Sequence, residues 1–342
     1  MSVQFGVCPP IFAAPGNVEF RVPNWAEVSA PAVKQMAQRA EELGYDSLWV
    51  ADHLMLGEGE AILEGWTTLS VLAGVTESIR LGLIHQSNAM RHPPLAAKMA
   101  ATLDQLSGGR LIHFFDVGNN EREHRAYGFL WEEELAERVA MMEEALTLMV
   151  QLWTADEPLT VRGTYYHVEG AVCRPKPHQQ PHPPIWIGET REGLLNVCAR
   201  HAQGWNSVPV GLEEWKLRRS ALAEACQRHG RDIEEIECSY ETQILIAPDL
   251  PSLRAQVGHM LSLNPKRAKP EWVDYAEGRA KMLPASLTDR FLVGTPDQIR
   301  EQVAAYVESG VDHFLLWFMD APREEGLALF AEEVMKPLRA SA

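Results

Sequence analysis

AVKQMAQRAEELGYDSLWVADH, residues 32–53, changes its period part-way along. Val33, Met36, Ala37, Ala40 and Leu43 recur at helical spacing, Gly44 stops that helix, and Leu48 to Ala51 run continuously apolar before the chain turns polar at Asp52 and His53. A short apolar run, VQFGVC, lies upstream across a Pro/Gly-rich loop. The order is therefore strand, helix, strand, the unit from which parallel sheets are built.

The same alternation continues outward from this stretch. A helix in TTLSVLAGVTESI precedes a strand in RLGLIH, a helix in PPLAAKMAATLDQLSGG precedes a strand in RLIHFFDVG, and the long amphipathic helix EEELAERVAMMEEALTLMVQLW comes before PIWIG. A helix in EGLLNVCARHAQ then leads to GWNSV, a charged helix from Leu212 to Gly230 leads to a strand within Ile236 to Ala247, and GVDHFLLWF supplies the eighth strand. Thr295, Pro296 and Gln298 read as an N-cap, a first-turn proline and a capping-box partner for the helix before it. Eight βα units with no break between halves predict a single (β/α)8 barrel domain over residues 1–342.

Two segments interrupt the period. Residues from about 156 to 183 hold a hairpin pattern centred on Gly163 and a Pro/His-rich connector, and residues from about 249 to 290 read as irregular, only partly helical and suited to a lid. His178 and His182 belong to the connector, where exposed polar residues are ordinary, and no metal is expected there.

The chain is 46% apolar and 23% charged, the balance of a globular protein with a large core. A formal charge of −16 spread along the chain disfavours nucleic acid as a partner. No apolar run is long enough to span a bilayer, and the first residues lack a basic, then apolar, leader, so a cytoplasmic protein without membrane association is expected. Cys8, Cys173, Cys198, Cys226 and Cys238 form no C-x-x-C pair and read as reduced thiols.

In a (β/α)8 barrel the chemistry gathers where strands end. His53 follows the second strand, and an imidazole there can move a proton beside a bound cofactor, with Asp52 either orienting it or capping a turn. After the fifth strand, Gly188, Glu189, Thr190 and Arg191 combine a sharp turn, a hydroxyl and a cation with a helix start, a combination suited to phosphate. Asp320, after the eighth strand, admits a metal-dependent hydrolase, but no His-x-His follows the first strand.

Four motifs carry a family resemblance: AEELGYDSLWVADHL, RHPPLAAKMAATLDQLSGGR, PPIWIGETREGLLNVCARHAQGWN and FLVGTPDQIREQVAAYVESGVDHFLLWFMDA. With them the chain resembles the luciferase-like flavin-dependent oxidoreductases, which include bacterial luciferase and the deazaflavin-dependent reductases. The resemblance implies a cofactor across the strand ends, its phosphate at the strand 5 loop and its ring towards strands 2 to 4. His53 matches the family's active-site histidine. Ile84 and His85 match the place of a non-prolyl cis peptide against the ring, with Ser87 and Asn88 as polar contacts, and Arg138 matches a phosphate-binding arginine. Of the glycine-rich end of strand 4 only Gly118 is kept, Phe114, Phe115 and Asp116 replacing small residues. Asn119 stands where sugar-phosphate dehydrogenases that use the deazaflavin have a glutamate proton donor, so that particular activity is not expected.

The resemblance thus implies an oxidoreductase. The reading favoured here is a monooxygenase that uses reduced FMN, drawn from a separate flavin reductase, and oxygen on a small organic substrate, with a homodimer as its assembly. Its alternatives are hydride transfer with a deazaflavin coenzyme and a flavin-binding protein without catalytic activity.

Overall fold

A computed structural model describes residues 3–188 and 190–341. Eight parallel strands close on themselves: β1 Gln4–Val7, β2 Ser47–Ala51, β3 Arg80–Ile84, β4 Leu111–Asp116, β5 Ile185–Gly188, β6 Gly204–Ser207, β7 Glu237–Ile246 and β8 His313–Phe318. Closure runs through β7, which pairs with β6 at Tyr240↔Ser207 and with β8 at Thr242↔Leu316, while β8 pairs with β1 at Phe5↔Phe314. Helices between the strands complete the expected (β/α)8 barrel. The helix Ala30–Glu42 buries Val33, Met36, Ala37 and Ala40, and Gly44 follows it at φ +85°.

The barrel is filled by large side chains set against glycines. Trp49 on β2 and Trp186 on β5 are fully buried with ring centroids 4.9 Å apart. A Cβ on Gly82 would lie 2.3 Å from the Trp49 ring, and one on Gly204 2.2 Å from the Trp186 ring, so the neighbouring strands must be bare there. Each such buried ring contributes roughly 1.5–3 kcal/mol of apolar burial. Beneath them the indole of Trp49 donates to Ser47 Oγ (2.7 Å), which meets His313 Nε2 (2.7 Å), whose Nδ1 meets Glu237 (2.7 Å). This network satisfies the N-terminal end of the barrel and leaves the opposite end for chemistry.

Both interruptions of the period are present. In the first, Leu159–Arg162 pairs antiparallel with His167–Ala171, and Glu144 accepts backbone N–H bonds from Thr164, Tyr165 and Tyr166 at 2.8–2.9 Å, holding the turn after Gly163. The second is more regular than its sequence suggests. Helices Leu250–Leu263, Pro270–Ala276 and Ala285–Thr288 enclose a small core of Leu253, Val257, Met260, Trp272, Tyr275 and Leu287. Lysines and prolines on its surface mask that helical spacing. Lys269–Glu19 (2.6 Å) and Arg267–Glu58 (2.9 Å) tie the segment to the loops leaving β1 and β2, at the mouth end.

The capping box at Thr295 and Gln298 is formed. All five cysteines are buried free thiols. Among the described residues, no helix is long and apolar enough to cross a membrane.

Candidate active site

At the mouth, β2 hands over to Asp52 and His53. The Asp52 N–H still donates to Ile84 O (2.8 Å), so the strand ladder holds the turn. Asp52 does not orient the histidine. Its two oxygens take a bidentate bond from Arg91 (2.6 and 2.8 Å), which also reaches Glu64 (2.8 Å). Burial pushes the Asp52 carboxyl up and Arg91 pulls it back, while those two carboxylates raise the guanidinium.

The residue that orients His53 is Glu123, on the short helix Glu121–Ala126 after β4. Glu123 Oε2 meets His53 Nδ1 at 2.9 Å, and Oε1 accepts the N–H of Leu54 and, at 2.7 Å, that of Met55. Burial alone would raise this carboxyl. The bond and charge of His53 and the two backbone donors instead hold it below the usual carboxylate range. Glu123 is thus ionised and accepts only, so neutral His53 carries its hydrogen on Nδ1. Its Nε2 has no hydrogen-bond partner among the described residues.

Beside it, Ser87 Oγ meets His124 Nε2 (2.7 Å), and His124 Nδ1 donates to Asn120 O (2.6 Å). Gly118, at φ +82°, makes room for that pair, since a Cβ there would lie 2.6 Å from Ser87 Oγ. Asp116 Oδ1 accepts the Gly118 N–H (2.9 Å).

The third strand ends at a cis peptide, Ile84–His85, where the resemblance places one. His85 packs on Phe114 (ring centroids 4.7 Å), and its Nε2 lies 3.3 Å from Asn206 Nδ2 and 3.5 Å from Glu241 Oε2. Glu241, fully buried on β7, also accepts from Arg21 Nε and Nη2 (3.2 and 2.9 Å) and from the Trp317 indole (2.8 Å). Burial would raise its carboxyl, yet Arg21 foremost, and then His85, hold it far below the ordinary range.

Two cavities open onto this mouth. The first is walled by His53, His85, Ser87, Gly118 and Asn119, and the second by Thr190, Asn206, Ser207 and Arg218, with His85, Asp116 and Asn119 common to both. Of the residues predicted from sequence, His53, His85, Ser87, Gly118, Asn119 and Thr190 therefore converge. Ile84 is the buried last residue of β3, and Gly188 ends β5 against Phe114. Arg191 caps the helix Glu192–His201, its carbonyl accepting from Leu194 and Leu195. Glu189 lies outside the described residues. Asn88 turns away to the Tyr166 hydroxyl (3.0 Å). Arg138 is in neither cavity: it donates to the carbonyls of Glu132 (2.6 Å) and Glu133 and lies over the Trp131 ring at 4.4 Å. The arginine in the second cavity is Arg218.

The departure at Phe114–Asp116 also resolves. Phe114 and Asp116 face the barrel interior, the former under His85, and Phe115 faces outward with His113, which packs on Trp153. Sequence reasoning missed Glu123, Glu241, Arg21 and Arg218. Only Glu241 left a signal, as a carboxylate in the middle of a buried strand.

The mouth of this parallel barrel thus sets an imidazole braced by a buried carboxylate beside a recess lined by Thr190, Asn206, Ser207 and Arg218. The chain belongs to the luciferase-like monooxygenase family, whose model matches residues 4–313. It is 27% identical over 311 residues to an F420-dependent glucose-6-phosphate dehydrogenase of Microbacterium testaceum, covering 88% of this chain and 91% of that one. It is 27% identical over 326 residues to a phthiodiolone/phenolphthiodiolone dimycocerosates ketoreductase of Mycobacterium kansasii, covering 80% and 87%. In fold it is similar to an F420-dependent secondary alcohol dehydrogenase solved with an F420–acetone adduct, with a TM-score of 0.77, 19% identity and 99% of each chain covered.

Proposed function

We propose that this chain is a deazaflavin-dependent oxidoreductase that interconverts an alcohol and a carbonyl compound by hydride transfer, with His53 as the acid/base group. The observation that carries the reading is the His53–Glu123 pair in a barrel that is similar, over most of its length, to relatives named for deazaflavin-dependent dehydrogenation. That similarity favours the deazaflavin over FMN with oxygen, the reading favoured from sequence.

The donor set fits such a group. The second cavity offers the Thr190 hydroxyl and the Arg218 guanidinium to a phosphate, and the first is walled by His53, His85 and Asn119, with Gly118 making room for the Ser87–His124 pair. The bound coenzyme supplies or accepts the hydride. The protein's part is to hold it against β3 and β4 and to hold or take a proton at His53 Nε2, with Glu123 setting the tautomer.

Anaerobic titration with reduced deazaflavin and with reduced FMN, followed by admission of air, tests the reading. Stoichiometric deazaflavin binding, no reaction with air and transfer to a panel of ketones and aldehydes are expected. Tight FMN binding with oxygen uptake, and no affinity for the deazaflavin, would refute it.

A further inference from the structure

The two cavities at the mouth differ in what they can hold. The one beside Thr190 and Arg218 measures about 110 Å3, whereas the one beside His53 measures about 10 Å3, the space of a single water. A carbinol carbon with its substituents, or a ring of the coenzyme, is far larger than that. The space next to His53 therefore admits one oxygen-sized group.

The hydrogen-bond directions around that space decide what the group must be. Glu123 takes the hydrogen on His53 Nδ1, which leaves Nε2 as a bare acceptor. His124 donates from Nδ1 to Asn120 O (2.6 Å), so its neutral ring accepts at Nε2 and Ser87 Oγ spends its hydrogen there (2.7 Å). Ser87 thus has only lone pairs left to offer. Asp116 adds a carboxylate, whose Oδ1 takes the Gly118 N–H (2.9 Å), and Asn119 adds a side-chain amide with no hydrogen-bond partner among the described residues. A substrate carbonyl brings no hydrogen to these three acceptors, and a hydroxyl brings one. A water brings two, and its own lone pairs suit the Asn119 amide, which gives it the two to four polar partners that hold a buried water.

We propose that this cavity is a water site, and that His53 exchanges its proton with the substrate through the bound water rather than by direct contact. The proposal rests on the hydride-transfer reading. In alcohol oxidation the hydroxyl proton passes to the water while the water passes one of its own to His53 Nε2, and the hydride leaves the carbinol carbon for the oxidised coenzyme. The products are the carbonyl compound, the reduced coenzyme and a protonated His53 beside ionised Glu123, with the water regenerated. The O–H and C–H bonds broken in the alcohol are balanced by a new N–H bond on His53 and a new bond to hydrogen on the coenzyme. Ser87 and Asp116 are positioning residues that hold the water by its second hydrogen, and the exposed Asn119 marks the rim beyond which the substrate oxygen sits.

Two measurements on the intact protein test this. The first is a crystal structure of the protein alone and with whichever coenzyme, oxidised deazaflavin or FMN, it binds. One water is expected within hydrogen-bond distance of both His53 Nε2 and Ser87 Oγ, and it should stay there when a ketone is soaked in. A ligand oxygen in direct contact with Nε2, or no water at that position, overturns the proposal. The second is turnover of an alcohol in mixtures of H2O and D2O, with the deuterated carbinol used to establish that the chemical step limits the rate. Two protons moving together should lower kcat roughly threefold in pure D2O and bend the mixture data below a straight line. A linear dependence means one proton and direct contact, and overturns the proposal. Ser87→Ala removes one acceptor and should lower kcat about tenfold, the worth of one hydrogen bond, at unchanged KM; a change in KM alone would mean that Ser87 meets the substrate, which also overturns it. Failure of the hydride-transfer reading shows separately, as a protein that turns over no alcohol or carbonyl compound, and the crystal structure then decides the water site by itself.

Discussion

Replacing Glu123 by Gln tests the geometry at His53 through a change of one atom type. In the native site Nδ1–H donates to an ionised carboxylate at 2.9 Å, a charge-assisted bond of about 1.5–3 kcal/mol. In the variant the amide oxygen remains the better acceptor for the N–H groups of Leu54 and Met55, which hold Oε1 in the native protein. The amide nitrogen is then forced to face Nδ1, where a donor meets a donor. The imidazole answers by moving its hydrogen to Nε2 and accepting a neutral bond at Nδ1 worth roughly 0.5–1 kcal/mol. The swing between tautomers is thus about 2–4 kcal/mol, or roughly 30- to 700-fold in the fraction with a bare Nε2. Turnover should fall within that range, with cofactor affinity little changed. Steady-state kinetics gives the loss, and 15N shifts of the His53 ring show the tautomer. A variant that turns over within threefold of normal, or that keeps its hydrogen on Nδ1, would refute the reasoning.

Two further outcomes concern stability. Asp320, buried after β8 with the Gly326 N–H as its carboxyl partner (2.8 Å), is pushed up to about 7 by burial. Its folded value lies above its unfolded one, so its contribution is full below about pH 4 and is lost as pH rises to about 7; between about pH 4.5 and 7.5 the loss is on the order of 3 kcal/mol. Denaturant unfolding at the two pH values should show that loss in the native chain and its absence in Asp320→Asn; parallel curves would exclude it. Gly118→Ala combines a left-handed φ with a Cβ 2.6 Å from Ser87 Oγ. It should cost about 2–4 kcal/mol by the same assay, and a neutral result would mean that Ser87 and His124 shift freely.

How legible the site was depends on what each residue needs to be noticed. His53 and Thr190 stand at strand ends, and a strand end can be read from where an apolar run stops. Gly118 is the one glycine kept at the end of β4, and its φ of +82° explains why. Glu123, by contrast, lies seventy positions from its partner, in a charged run, EREHR, indistinguishable from a solvated helix face. Asp52 was adjacent to His53 and invited a pairing, but the β2 pleat sends its side chain to Arg91 instead. Arg138 and Arg218 show the same limit. Each lies on a helix with an ordinary amphipathic pattern, and only the packed orientation distinguishes the arginine in a cavity from the one bonded to nearby carbonyls.

Taken alone, the sequence determined the eight βα units, their order and the helix caps, because these follow from local periodicity, glycine and proline, each within a dozen residues. It also carried enough of the family's motifs to identify the class. The tertiary structure decided which carboxylate braces which histidine, how Trp49 and Trp186 fill the barrel against Gly82 and Gly204, and that the segment from 249 to 290 packs as helices around a core it shares with the barrel at Val18, Leu245 and Met319. Those outcomes depend on closure of the barrel, which brings β6, β7 and the loop after β1 around one mouth at sequence separations of 35 (Asn206 to Glu241) to 220 (Arg21 to Glu241) residues. No local pattern encodes a contact made only when the eighth strand returns to the first.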